Sequence, residues 1–325
     1  MNYSKEELTE TIQKSRPTLK PSSIKQYINH LNKLKSLFDS DDYEFLKDYN
    51  SVMDKLKDKH YTTQRNSLNA VIVLLMALNE NKEYDDLIKE YQKIRDKYNE
   101  KYEQEQQSGI ISDKQKTNFS SVEEIDEMLK KMEKDIKDNN IKKKTQLTPQ
   151  EHELITGYTL FSILRVYPLR NDLSGMIFLN KTLFKSITED ELKTTNYLVN
   201  GKSDMTMILN EYKTSKKYGM KKVPVDKNIQ KIFRMYIKLM NRSYGDVIFK
   251  TTQNNTITRN QISQILLRVS KKYMGKSIST TLIRKSVLSN KFGDLKEQKE
   301  EQQKMADITG HSVDTMDKVY IKNNP

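Results

Sequence analysis

Four short segments of this chain carry side chains suited to handling a phosphate. Pro168-Leu169-Arg170-Asn171-Asp172-Leu173 sets an arginine just beyond a helix break, with a carboxylate two residues on that could orient it. Glu211-Tyr212-Lys213-Thr214-Ser215-Lys216-Lys217 is a lysine-rich stretch between two extended runs. Thr280-Thr281-Leu282-Ile283-Arg284-Lys285-Ser286 lies within an amphipathic helical pattern. Gly310-His311-Ser312 is followed, nine residues after the histidine, by Tyr320. Guanidinium groups stay charged and meet phosphate oxygens as a two-pronged fork. A tyrosine hydroxyl has a pKa of about 10 in water, and clustered cations favour its nucleophilic phenolate. A lysine can hand a proton to a departing oxygen. Together these groups are the types wanted for exchanging one phosphoester for another.

Singly, each has a plainer reading. Arg170 could be a surface or capping arginine, and Arg165 is a rival for its role, although the apolar neighbours of Arg165 suggest that it simply ends a helix. Lys213 shares its loop with Lys216 and Lys217, and Lys221 and Lys222 follow, which also suits a solvated basic hairpin. Arg284 sits among Leu282, Ile283, Val287 and Leu288, where burial without an anion is costly. That leaves a structural ion pair or a phosphate as its partner. His311 after Gly310 could cap a helix, and Tyr320 is one of 18 tyrosines. The conjunction, in order and with its spacing, is what carries meaning.

That conjunction resembles the tyrosine recombinase family. The likeness is tightest in GHSVDTMDKVY and extends, in the order and intervals of all four segments, over about residues 120–325. The preceding segment resembles the family's core-binding domain only in its helical character and its SIKQY-type helix. The resemblance implies that Arg170 and Arg284 grip the scissile phosphate and that His311 adds a hydrogen bond. Lys213 would protonate the departing 5′-oxygen, and Tyr320 would form a 3′-phosphotyrosyl bond. The covalent link conserves the phosphodiester's energy, so the implied reaction needs no ATP, metal or other cofactor. Double-stranded DNA is the implied partner, with a homo-tetramer on paired sites. The implied role is integration or excision of a mobile or viral element, with which the Lys- and Asn-rich composition is compatible. One position departs from the pattern. The third motif usually begins with histidine or lysine three residues before its arginine, and here that residue is Thr281, a poor base. A type IB topoisomerase-like relaxing enzyme and a catalytically impaired DNA-binding relative are the alternatives.

Composition sets the frame. The 325 residues carry a net charge of +13. Residues 1–110 hold 18 Lys and Arg against 19 Asp and Glu, whereas residues 151–325 hold 30 against 17. The basic excess therefore lies in the C-terminal half, as expected of a surface that handles a polyanion. A Lys-rich solvated surface is the other reading. Within the balanced first part, Thr11 to Phe38 has six Lys and Arg and no acid. Lys14, Arg16, Lys20, Lys25 and Lys33 of that stretch are candidate phosphate contacts, as are Lys216, Lys217 and Lys285 further on. The absence of cysteine excludes disulfides, thiolate zinc sites and cysteine nucleophiles. Four scattered histidines suggest no metal site. No apolar run approaches the ~18 residues of a membrane span, and the N-terminus lacks a signal-peptide pattern. An intracellular, non-secreted protein is expected.

The positioning elements follow from periodicity. The expected fold is mainly α with a small antiparallel β-sheet: an all-helical core-binding domain over 1–105, a linker over 106–118, and a mixed α+β catalytic domain over 119–325. Ile24, Tyr27, Ile28, Leu31, Leu34 and Leu37 predict a helix opening at Pro21, and Ala70–Leu78 belongs to another from about Thr62. Thr148-Pro149-Gln150-Glu151 is a strong helix start, and Pro168 marks its stop. Tyr197–Val199, Met205–Tyr212 and Lys222–Val225 read as strands, with a tight basic hairpin loop ending at Gly219 between the last two. Helices are expected near 226–241, 258–273, 278–292 and 296–309.

Overall fold

The computed structural model of the chain describes residues 3–310 and 312–315. It is mainly α-helical with one small four-stranded mixed sheet. It divides into two compact units, Met1–Ile111 and Ser112–Pro325. None of the described helices is long and apolar enough to cross a membrane.

The first unit contains α1 (Lys5–Ser15), α2 (Pro21–Leu37), α3 (Tyr49–Leu56), α4 (Tyr61–Leu78) and α5 (Asp85–Gln107). Ser4 and Glu7 start α1 with a reciprocal capping box, which satisfies two orphan backbone donors. Ile24, Ile28, Leu31 and Leu34 form the buried stripe of α2. They join Leu68, Val71, Leu74 and Leu75 of α4 in one core. Tyr91 of α5 is buried in the same core and donates to the Leu46 carbonyl at 2.8 Å. The α5 helix continues through residues that carry no apolar pattern and were expected to begin the linker. Glu, Gln and Lys are good helix formers, so propensity extends it where periodicity fades.

The second unit opens with α6 (Asp113–Lys116), α7 (Val122–Asp138) and α8 (Pro149–Val166). Then come β1 (Ile177–Asn180), α9 (Lys181–Lys185), α10 (Glu189–Thr194), β2 (Tyr197–Asn200), β3 (Met205–Leu209), α11 (Ser215–Tyr218) and β4 (Lys221–Pro224). It closes with α12 (Lys227–Leu239), α13 (Arg259–Met274), α14 (Thr280–Thr309) and α15 (Val313–Thr315). The central helix is α8, packed against α7, α12, α13 and α14. Its Ile155, Leu160, Phe161, Ile163 and Leu164 are buried. Gly157 lets α13 come close, since a Cβ there would meet Val269 Cγ2 at 2.8 Å.

The sheet runs β1-β2-β3-β4. It is antiparallel over β2-β3-β4, and β1, a strand with no alternating pattern to announce it, adds in parallel to β2. One face, with Phe178, Leu198, Met205 and Met207, joins the main core, while Leu179, Tyr197, Val199 and Ile208 cluster on the other. The β3–β4 connection is not the tight hairpin that the sequence suggested. It contains the helical turn α11, ends at Gly219 with φ 64°, and is braced by the Tyr212 hydroxyl donating to the Gly219 carbonyl at 2.6 Å. A second departure is α14, a single 30-residue helix in place of the two expected. Gly293 lies inside it with open space where a Cβ would stand, and the Lys-, Glu- and Gln-rich sequence beyond favours helix.

Candidate active site

The segment bearing Arg170 begins where α8 ends, because Pro168 lacks the N–H that the next helical bond would need. Tyr167 pins the turn: its hydroxyl donates to the Pro224 carbonyl at 3.0 Å and accepts from the Asp226 N–H at 2.6 Å. Arg284, in the second turn of α14, reaches the same segment. Its Nε donates to the Pro168 carbonyl at 3.1 Å and its Nη2 approaches the Leu169 carbonyl at 3.4 Å. The half-buried Arg284 thus holds the backbone immediately before Arg170, which is exposed.

Asp172 anchors the centre and is 5% exposed. Burial raises its carboxyl above the usual aspartate range, while Arg259, Arg170 and Arg284 pull in the opposite direction. Arg284 is pushed below the usual guanidinium value, first by burial and then by Arg170, with Asp172 opposing. Arg259 Nη2 lies 3.6 Å from Asp172 and 3.4 Å from the Glu211 carboxylate. Arg259 pairs with the buried Asp172, and Arg170 and Arg284 lie near enough to act on its charge; with Glu211 beside Arg259, three guanidinium groups face two carboxylates, and the centre stays positive. Arg259 also occupies the first position of α13, where the helix dipole disfavours a cation. An anion at this centre would be stabilised by all three.

Two asparagines hold the pieces in register. Asn171 donates to the Arg259 carbonyl at 2.7 Å and to Ser263 Oγ at 2.8 Å, and accepts from Thr280 Oγ1 at 2.5 Å. Asn196, 3% exposed, donates to the carbonyls of Asp172 and Glu211 at 2.8 and 3.0 Å. Its Oδ1 accepts from the N–H groups of Asn210 and Glu211, each at 2.8 Å. This clamp ties the Arg170 segment to the chain two residues before Lys213. Lys213 itself is exposed, directly after the buried Tyr212.

The structure therefore brings Arg170 and Arg284 together and sets the start of the Lys213 loop beside them. His311 and Tyr320 lie outside the described residues. Gly310, which caps α14, is 26 residues beyond Arg284 along one helix, a rise of about 39 Å. Thr281 is exposed, and its neighbour Thr280 makes the bond to Asn171. Arg165 has a different partner, pairing through Nε and Nη2 with Asp126 at 2.8 and 3.0 Å.

Of the suggested phosphate contacts, Lys14, Lys20, Lys25, Lys33, Lys216 and Lys217 are exposed. Arg16 is half-buried with Nη2 3.2 Å from Met76 Sδ. Lys285 is half-buried and donates to Gln115 Oε1 at 2.8 Å. No group of three or more His, Asp or Glu suited to a metal ion occurs among the described residues.

Sequence reasoning missed Arg259, Asn171 and Asn196. The Thr258-x-x-Gln261 capping box does place Arg259 at a helix start, but nothing local says what that start faces. Asn196 carried no signal at all.

No family model matches the chain, and no curated protein matches it. Among solved structures it is similar to the crystal structure of XerA recombinase, with a TM-score of 0.32 and 12% sequence identity over 85% of this chain and 80% of that one. A likeness at that level leaves the function to the residues themselves.

Proposed function

We propose that the protein is a tyrosine recombinase, cutting and rejoining duplex DNA through a covalent phosphotyrosine. What supports this most is the convergence of Arg170 and Arg284, from segments far apart in sequence, around the buried Asp172. Residues 1–105 would serve as the core-binding domain and residues 119–325 as the catalytic domain. The arginines neutralise the charge that builds on the non-bridging oxygens of the transition state. Tyr320 oxygen attacks phosphorus, the bond to the 5′-oxygen breaks, and Lys213 supplies that oxygen with a proton. The tyrosine's own proton passes to solvent water, since the Thr281 hydroxyl is a poor base. A 5′-hydroxyl from a second DNA end reverses the step, which allows integration or excision of a mobile or viral element. His311 donates to the phosphate, and the exposed lysines of both units contact the flanking backbone.

The 39 Å between Arg284 and Gly310 along α14 favours delivery of the tyrosine segment to a neighbouring copy within a tetramer on paired sites. Incubation with a nicked suicide substrate built from the element's own ends tests the reading. A protein–DNA adduct that survives denaturation and forms in the presence of a metal chelator supports it. Relaxation of supercoiled DNA with no dependence on site would point instead to a topoisomerase IB-like enzyme. DNA binding with no adduct would mark an impaired relative.

A further inference from the structure

Arg259 lies beside two carboxylates and closes on neither. Its Nη2 is 3.6 Å from Asp172 and 3.4 Å from the Glu211 carboxylate, and donates to the Glu211 carbonyl at 3.3 Å. Its other guanidinium nitrogens make no hydrogen bond among the described residues, and the side chain is 45% exposed. Arginines that join helices in the same unit behave differently. Arg165 holds Asp126 through Nε and Nη2 at 2.8 and 3.0 Å, and Arg268 holds Glu153 through Nε at 2.7 Å and Nη2 at 2.5 Å. Those two guanidinium groups are spent on a carboxylate, in charge-assisted bonds of the usual short length. That of Arg259 keeps donors in reserve. Its backbone, by contrast, is firmly placed. The Arg259 carbonyl accepts from Asn171 at 2.7 Å, and the Ile257 carbonyl, two residues earlier, accepts from Ser174 Oγ at 2.8 Å. Both donors belong to the segment that carries Arg170, which Arg284 also holds through the Pro168 and Leu169 carbonyls.

We propose that Arg259 is a third arginine on the scissile phosphate, its free guanidinium donors meeting a non-bridging oxygen beside Arg170 and Arg284. The proposal rests on the reading of the protein as a DNA recombinase. Its warrant is the combination of a fixed backbone with an unsaturated cation. An arginine needed only to brace Asp172 would close its fork on that carboxylate, as Arg165 does on Asp126. The loose contacts to Asp172 and Glu211 instead restrain the side chain while leaving it able to donate elsewhere. The charges agree with this. Three guanidinium groups against two carboxylates leave one positive charge, which one phosphodiester balances. A transition state with further charge on the non-bridging oxygens draws on all three, and a donor already in place costs no reorganisation when that charge develops. Thr281, three residues before Arg284, is exposed and neutral and adds no cation. Arg259 supplies that charge from a different element, through Asn171, which bonds both to the Arg259 carbonyl and to Thr280.

The test is single-turnover adduct formation by the full-length wild type and Arg259→Ala on two nicked suicide duplexes. One carries the normal scissile phosphodiester and the other a methylphosphonate at that linkage, where a methyl group replaces one non-bridging oxygen and removes the charge that the arginines meet. On the phosphodiester the variant should be slower by about 10²–10³, with duplex affinity within about threefold of the wild type. On the methylphosphonate the two proteins should differ by no more than about threefold, because the lost interaction was with the charge. Arg259→Gln keeps an amide donor at this exposed position without the charge, should show the same pattern, and guards against a loss of fold in the alanine variant. Cleavage of the phosphodiester by both variants at the wild-type rate overturns the proposal and leaves the recombinase reading standing. So do variants slowed alike on both linkages, or active on neither, which would make Arg259 a brace for Asp172 alone. A wild type that forms no adduct on the phosphodiester overturns both.

Discussion

Replacing Asn196 with alanine removes four hydrogen bonds from one buried point. The carbonyls of Asp172 and Glu211 lose their amide donors, and the N–H groups of Asn210 and Glu211 lose their acceptor. A buried polar group left unpaired costs about 1–3 kcal/mol. Four such groups set a ceiling near 12 kcal/mol, but water entering the vacated space relieves most of it, so the expected loss is about 3–5 kcal/mol. For a unit of this size that corresponds to a fall in melting temperature of roughly 6–20 °C. Thermal unfolding of the full chain, followed through the C-terminal unit, is the assay. Asn196→Asp is the control, because it keeps the shape and the acceptor while placing a carboxylate against two carbonyls. It should also be destabilised, and less so at a pH low enough to protonate it. A loss below about 1 kcal/mol for Asn196→Ala would refute the reasoning, since it would mean that these backbone groups find solvent and that the Arg170 segment is not tied to the strand end.

Three further outcomes bear on the chemistry. Arg284→Lys keeps the charge but not the fork that spans the Pro168 and Leu169 carbonyls, and should lower the cleavage rate by about 10²–10³ with duplex affinity little changed, as read by single-turnover adduct formation against a binding isotherm. Lys213→Ala should slow cleavage about 10²-fold or more, and a substrate with sulfur in place of the leaving 5′-oxygen should restore it, because a departing thiolate needs no proton. Failure of that rescue would remove Lys213 from the general-acid role. Arg284→Ala and Tyr320→Phe proteins, each inactive alone, should regain adduct formation when mixed if the tyrosine acts on a neighbouring copy. No recovery in the mixture would show that it acts on its own chain.

How far the sequence could be read depended on whether each signal was local. The start of α8 was legible because Thr148 advertises its cap within three residues. Buried stripes such as Ile24, Ile28, Leu31 and Leu34 were legible because burial imposes a period. The strand β1 was not, since four residues, Ile177 to Asn180, are too few to show alternation. The continuity of α14 through Gly293 was also hidden, because glycine lowers helix propensity without forbidding helix. Arg170 and Arg284 of the candidate site stood out by type and spacing, whereas Arg259 did not. The residues that hold them did not: Asn171 reaches Thr280 across more than a hundred positions, and Asn196 bridges two loops through backbone atoms that no side-chain pattern encodes.

In the proposed reaction Tyr320 becomes covalently joined to DNA. Trapping the adduct on a suicide substrate, digesting the protein and sequencing the DNA-bearing peptide by mass spectrometry addresses it directly. The expected result is a nucleotide phosphate on Tyr320 in the wild type and no adduct from Tyr320→Phe, with duplex binding retained. A DNA-linked peptide that does not contain Tyr320, or an adduct undiminished in Tyr320→Phe, would contradict it.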